Sequence, residues 1–163
     1  MSDLPIQFPV LALVRDPGDN SEVIACIRDA DGISDALRWE LKRKPLLGAL
    51  LVEVAGRCWR VRDMIILSLG ATGWRRALNL IARYVYRVRY EVDEEAPLPF
   101  ETIKERVQAS IVANWGYWRD DELVAGEDGP PRDEQEMLED LLERVGRTSD
   151  VRALIETLES WPD

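Results

Sequence analysis

Apolar runs of strand length, separated by turn residues, fill the first part of the chain. Residues 8–15 and 22–28 form one pair of runs, and residues 46–54 and 58–67 form a second pair. The break within each pair contains Gly, and short Gly-containing breaks between β-rich runs favour hairpins. The pattern therefore predicts two β-hairpins.

Alternation of residue type marks a fifth strand at residues 83–92. Its even positions are Tyr or Val and its charged residues lie at odd positions, so the two kinds of side chain are predicted to face opposite sides of a sheet. Between the hairpins, Ser34 or Asp35 is predicted to cap a short helix through Lys42, which Pro45 ends.

The hydrophobic period lengthens after an acidic, Pro-containing linker at residues 93–99. Apolar residues then recur at three- and four-residue spacing, which predicts three helices. The first covers residues 100–115, the second begins at the cap Asp133, and the third begins at the cap Ser149.

Strands that come first and helices that come last indicate an α+β fold. The predicted architecture is an antiparallel sheet of about five strands with helices packed mainly on one face, in the order β-β-α-β-β-β-α-α-α. We predict one domain over residues 1–163, strand-rich over 1–92 and helical over 97–161.

Charge is distributed unevenly along the chain. Residues 1–37 contain seven acidic and two basic residues, residues 38–89 three acidic and twelve basic, and residues 90–163 twenty-one acidic and seven basic. The net charge of −10 thus hides a basic middle between acidic ends. No basic leader and no apolar run of membrane-spanning length stands out, which predicts a soluble, cytoplasmic protein.

The residue types present argue against catalysis. The chain has no histidine, which is the commonest general base and transition-metal ligand, and it has no phosphate-loop, dinucleotide or nucleophile-elbow motif. Cys26 and Cys58 lack the spacing of a metal site or disulfide framework and are predicted to be buried and reduced. We therefore predict no enzyme, no cofactor, and no catalytic or metal-binding residue.

An arginine-bearing face of the sheet is the first candidate binding surface. If Trp59, Val61, Ile65 and Leu67 face the core, the arginines of the neighbouring positions and of the fifth strand face the other way. These are Arg60, Arg62, Arg83, Arg87 and Arg89. Three interpretations remain open: neutralisation by the acidic helices of the same chain, an acidic protein partner, or nucleic acid. The sequence pI of about 4.6 disfavours nucleic acid.

Acidic residues at the two ends of the first predicted helix are the second candidate. Asp93, Glu94 and Glu95 precede this helix, and Asp120, Asp121 and Glu122 follow it. We predict that one of these triplets attracts a basic partner and that Trp115 or Trp118 supplies a buried aromatic anchor.

A resemblance to a protein family also favours a protein partner. Residues 44–53 with Gly56, Trp59 and Val61 look like the central hairpin of small bacterial immunity proteins of polymorphic toxin systems. Residues 100–107, Trp118 and residues 148–155 are similar to the closing helical region of those proteins. The resemblance implies a cytoplasmic, non-catalytic protein that binds and neutralises one cognate toxin, and it transfers no functional residue.

The sequence therefore predicts a protein-binding module, an immunity-like protein with a basic toxin domain as partner. The alternative is a nucleic-acid-associated or regulatory protein that uses the arginine-bearing face. Neither alternative involves a membrane.

Overall fold

A computed structural model of the protein describes residues 5–16, 21–37, 46–69, 85–119 and 133–161. The chain divides into two compact units. The first, the sheet unit, comprises Met1–Val14 and Ala25–Pro97; the second, the helical unit, comprises Arg15–Ile24 and Leu98–Asp163. The single domain predicted from the sequence stays a prediction.

The described strands form one six-stranded sheet in the order β2-β1-β4-β5-β6-β3. The strands are β1 (Val10–Arg15), β2 (Glu22–Ile27), β3 (Asp35–Leu37), β4 (Leu50–Glu53), β5 (Cys58–Leu69) and β6 (Val85–Glu95). The pairings of β1 with β4, β4 with β5, β5 with β6 and β3 with β6 are antiparallel. The predicted α+β class with an antiparallel sheet is confirmed, and the sixth strand is β3.

The segment that contains β3 differs from the helix predicted through Lys42. The helix α1 covers only Asp31–Ser34. A hydrogen bond from the Gly32 N–H to Asp29 Oδ1, at 2.9 Å, stabilises its first turn. The next three residues pair with β6 instead of continuing the helix. An exposed strand edge offers a row of unpaired backbone groups, and this pairing outweighs the weak helical pattern. Residues 38–45 lie outside the described ranges.

One hydrophobic cluster of the sheet unit is formed by buried residues of the central strands and of the segments beside them. Its members share exposures of at most 8%, and they include Val10, Ala12, Leu51, Trp59, Val61, Met64, Val88 and Tyr90. All four residues of β4 are buried, which is why its sequence is a continuous apolar run rather than an alternating one. Cys58 is buried as predicted, whereas Cys26 is only half-buried, and no disulfide joins the two.

β5 breaks the alternation that the sequence suggested. Trp59 and Val61 point inward as predicted, but β5 contains two register shifts, the first directly after Val61. A β-bulge adds one residue to a strand and so exchanges its two faces. Met64 takes the inward position in place of Ile65, and Leu67, predicted to face the core, is 54% exposed.

The helical unit contains four described helices. They are α2 (Phe100–Ala113), α3 (Trp115–Trp118), α4 (Glu134–Gly146) and α5 (Val151–Glu159). Asp133 caps α4 as predicted, accepting from the N–H groups of Gln135 and Glu136. The cap of α5 is Asp150 and not Ser149, because the Asp150 carboxylate accepts from the Ala153 N–H at 2.9 Å.

Two polar contacts show that α2 and α4 run antiparallel. Near the start of α2, Lys104 Nζ donates to the Gly146 carbonyl at the end of α4, at 3.4 Å. One turn later, Gln108 Nε2 donates to the Leu142 carbonyl at 3.3 Å. Ile103, Val107 and Ile111 of α2 and Met137, Leu141 and Val145 of α4 are buried.

Hydrogen bonds to Glu22 fix another face of α2, next to the face that packs in the core. Arg106, Ser110 and Asn114 follow one another at four-residue spacing, which places them on one face of the helix. Arg106 binds the Glu22 carboxylate, while Ser110 and Asn114 donate to the Glu22 carbonyl. One face of α2 thus packs in the core and another contacts Glu22, so the remaining face, which includes Ala109, Val112 and Ala113, is exposed to solvent.

Candidate functional site

The register of β5 and β6 brings the two predicted charged surfaces onto the same strands. Arg87 and Arg89 occupy odd positions of β6, as do Glu91, Asp93 and Glu95. Because side chains alternate along a strand, all five lie on one side of the sheet. The arginine-bearing face is therefore also an acidic face.

Ion pairs join the arginines of β5 to these carboxylates. The Arg60 guanidinium binds both oxygens of Glu95, with Nε–Oε1 at 2.8 Å and Nη2–Oε2 at 2.9 Å. Arg62 donates to Glu91 Oε2 at 3.1 Å, and its Nη1 lies 3.6 Å from Asp93 Oδ1. The hydrogen bond to Glu91 and the negative charge of Asp93 raise the pKa of Arg62 above its ordinary value.

The two strands β5 and β6 contribute no excess charge to this surface. Asp63 lies opposite Glu91 in the register of the two strands. On this side, β5 and β6 together carry four basic and four acidic side chains: Arg60, Arg62, Arg87 and Arg89 with Asp63, Glu91, Asp93 and Glu95. Phosphate binding needs an excess of positive charge. Glu94 is exposed on the other side of β6, and Arg83 lies outside the described residues.

A buried carboxylate that sequence reasoning missed lies at the end of β4. Glu53 is 0% exposed, and its Oε1 accepts from the Gln7 N–H at 2.9 Å and from Trp59 Nε1 at 2.8 Å. Its Oε2 accepts from Arg57 Nε at 2.9 Å. Both oxygens are thus occupied by groups of the same unit, so Glu53 fixes the hairpin rather than offering a base to a substrate.

The described ranges contain neither a cluster of metal ligands nor a helix that could span a membrane. Within them, no group of three or more Cys, Asp or Glu residues is placed to hold a metal ion. In the same ranges, no helix combines the length and hydrophobicity needed to cross a bilayer.

The predicted aromatic anchors are partly engaged inside the helical unit. Trp115 and Trp118 are both half-buried, and the Trp118 carbonyl accepts from Trp161 Nε1 at 2.9 Å. Tyr117, which was not predicted, is 73% exposed. Its ring meets that of Trp118 edge-on, with centroids 5.7 Å apart.

Tyr117 belongs to a segment without charge. Residues 107–118 contain no Asp, Glu, Lys or Arg, in a chain that is 32% charged. The inward residues of this segment form the core stripe of α2, but Ala109, Val112, Ala113, Gly116 and Tyr117 are all exposed. We call these five residues the uncharged strip. The sequence carried this signal, since a second apolar stripe runs beside the core stripe.

A shallow groove adjoins the uncharged strip. Gln108, Ala109, Val112 and Ala113 of α2 and Leu142 of α4 line it, and its volume is about 530 Å³. Val112, at 53% exposure, is the largest exposed apolar side chain in its lining. The groove is apolar and open to solvent.

Acidic side chains border this groove. Glu105 precedes Ala109 by one turn of α2, and Glu139 precedes Leu142 by one turn of α4, so each adjoins a lining residue. Both are exposed. The surrounding sequence is acidic as well, because residues 98–163 contain seventeen acidic and seven basic residues.

The remaining predicted contact residues, Asp120, Asp121 and Glu122, lie outside the described ranges. The structure thus brings Asp93 and Glu95 together with the arginines, leaves Glu94 apart from them, and presents the uncharged strip as an additional surface. Comparison of the chain with protein-family models, with curated proteins and with solved structures finds no match.

Proposed function

We propose that this chain is a non-catalytic protein-binding module and that the uncharged strip is the centre of its binding surface. The observation that carries the proposal is the exposure of Val112 (53%) and Tyr117 (73%) within twelve residues that hold no charge. Centres of protein interfaces are depleted in charge and enriched in aromatic residues, whereas an ordinary solvated helix face is rich in charged residues.

The acidic surroundings of the strip support a basic partner. Opposite potentials on two proteins raise their association rate and disfavour partners of the wrong charge. A basic toxin domain has the required charge, so the immunity-like function that the family resemblance implies, exerted in the cytoplasm, agrees with this surface. Binding and neutralisation of such a toxin is our proposal for the biological role.

The arginine-bearing face has weaker support as a binding surface. Arg60 and Arg62 already bind Glu95, Glu91 and Asp93. A polyanion would have to displace these carboxylates or leave them beside its phosphates, and both reduce its affinity. We therefore favour a protein partner of the helical unit over nucleic acid.

The test uses two exposed apolar residues with nearly the same exposure. Val112→Glu places a charge in the strip, and the matched control Leu67→Glu places a charge on β5, where Leu67 is 54% exposed. The partner is captured from cells that naturally express the chain, identified by mass spectrometry, purified, and titrated by calorimetry against both variants.

We expect Val112→Glu to weaken binding at least tenfold and Leu67→Glu to leave it within twofold, with both variants folded by circular dichroism. A tenfold change corresponds to about 1.4 kcal/mol, a modest share of what an interface centre contributes. Loss of binding with Leu67→Glu but not with Val112→Glu would place the surface on the sheet unit and overturn the proposal.

A further inference from the structure

From the shape of the groove between α2 and α4 we infer that the partner presents an amphipathic α-helix with basic residues along its edges. This inference rests on the proposed function, which assigns the uncharged strip to protein binding. It specifies the secondary structure of the partner segment that binds the strip and the sign of the charge on that segment.

The backbone of the groove favours a helical occupant. Its walls are the flanks of two helices, whose backbone N–H and C=O groups bond within each helix. An extended peptide lying here would find no backbone partners, and buried unpaired backbone groups are costly. A helix satisfies its own backbone and needs only apolar contacts, as in other helix-in-groove complexes.

The small residues of the groove allow a helix to approach closely. Ala109 and Ala113 line the groove and lie one turn apart on α2. Helices pack at interaxial distances of about 8–10 Å, and small contact residues favour the short end. From Glu105 to Ala113, α2 rises about 12 Å at 1.5 Å per residue, so about two turns of the partner helix fit along it.

The border of the groove sets the charge of the occupant. Helical spacing places Glu105 one turn before Ala109 on the α2 wall and Glu139 one turn before Leu142 on the α4 wall. Lysine or arginine side chains on both edges of a docked helix would reach these carboxylates while its apolar ridge contacts Val112. A second copy of this chain does not meet this requirement, because it would bring another acidic helical unit to the same place.

The experiment uses a synthetic 18-residue peptide with Leu and Ala on one helical face and Lys along both edges. Two control peptides separate shape from charge: one has the same composition in a scrambled order without an apolar face, and one has Glu in place of every Lys. Binding of each fluorescently labelled peptide to the full chain is measured by anisotropy at several salt concentrations.

We expect the amphipathic Lys peptide to bind at least tenfold more tightly than either control. Val112→Glu should reduce its affinity at least tenfold, whereas Leu67→Glu should not change it. Glu139→Lys should weaken binding severalfold at low salt, and the difference should shrink as salt screens the charges. Equal binding of the scrambled peptide, or binding that Val112→Glu leaves intact, would overturn the inference.

Two further outcomes distinguish this inference from the proposed function. If Val112→Glu abolishes binding of the natural partner while the Lys peptide does not bind, the strip binds protein but not a basic helix, and only the inference fails. If sedimentation shows a dimer of the chain that Val112→Glu dissociates, the groove receives a second copy, and the inference fails in favour of self-association.

Discussion

Substitution of a buried residue usually destabilises a protein more than substitution of an exposed one. The contact between Glu53 and Arg57 leads to the opposite prediction. Glu53 is 0% exposed, whereas the Arg57 side chain is 43% exposed. We predict that replacing the exposed arginine destabilises the protein more than replacing the buried carboxylate by its neutral isostere. The two variants are Arg57→Met and Glu53→Gln.

The size of each effect follows from what remains behind. In Glu53→Gln, the amide oxygen still accepts from Trp59 and from the Gln7 N–H, and Arg57 turns into water. The buried amide NH₂ then lacks an acceptor, which costs about 1–3 kcal/mol. In Arg57→Met, the buried carboxylate keeps two neutral donors but loses its positive partner, and a buried charge left without its partner costs up to about 3–5 kcal/mol.

Urea unfolding followed by tryptophan fluorescence measures both effects, since the free energy of unfolding falls linearly with denaturant. The double variant provides the control, because removing the buried charge as well should recover part of the stability lost in Arg57→Met. If Glu53→Gln destabilises more than Arg57→Met, or if the double variant is less stable than both, the account of this cluster is wrong.

Three further predictions concern single residues of the two units. Trp59→Ala should cost about 3–5 kcal/mol in urea unfolding, since it removes a buried indole and leaves a cavity; a loss below about 1 kcal/mol would contradict the inward packing. In native protein, Cys26 should react with a thiol reagent well before Cys58, which is 0% exposed, and equal rates would contradict the burial of Cys58. Asp133→Ala and Asp150→Ala should each cost about 1 kcal/mol in thermal unfolding through loss of a helix cap, and unchanged stability in both would contradict the observed caps.

The central hairpin was predictable because its signals are local. An apolar run, a Gly-containing break and a second β-rich run are visible in the sequence, and Gly56 indeed adopts a positive φ of 84° at the turn. There the Glu53 N–H donates to the Arg57 carbonyl at 2.9 Å and closes the turn. The helix cap at Asp133 was predictable for the same reason, since capping depends on residues two and three positions away.

The bulges of β5 and the short strand β3 were not predictable in this way. A bulge depends on how two strands fit over many residues, and the sequence of β5 alone does not mark where the extra residue enters. β3 forms because β6 offers an edge, which is a tertiary condition that overrides the local helical pattern. Leu67 and Asp35–Leu37 were misassigned for these reasons.

The charged surfaces show how such a change of register alters a functional interpretation. Arg60 and Glu95 are 35 residues apart in the sequence, and they become neighbours only because β5 and β6 pair in the observed register. Once paired, they stabilise the sheet and lose much of their value for steering a partner, since each charge screens the other. A charged residue thus signals a binding surface only when the fold leaves its field uncompensated. In the helical unit, acidic residues outnumber basic residues, so the negative field around the uncharged strip is not compensated in this way. The strip therefore combines an uncharged centre with acidic surroundings that can attract a basic partner.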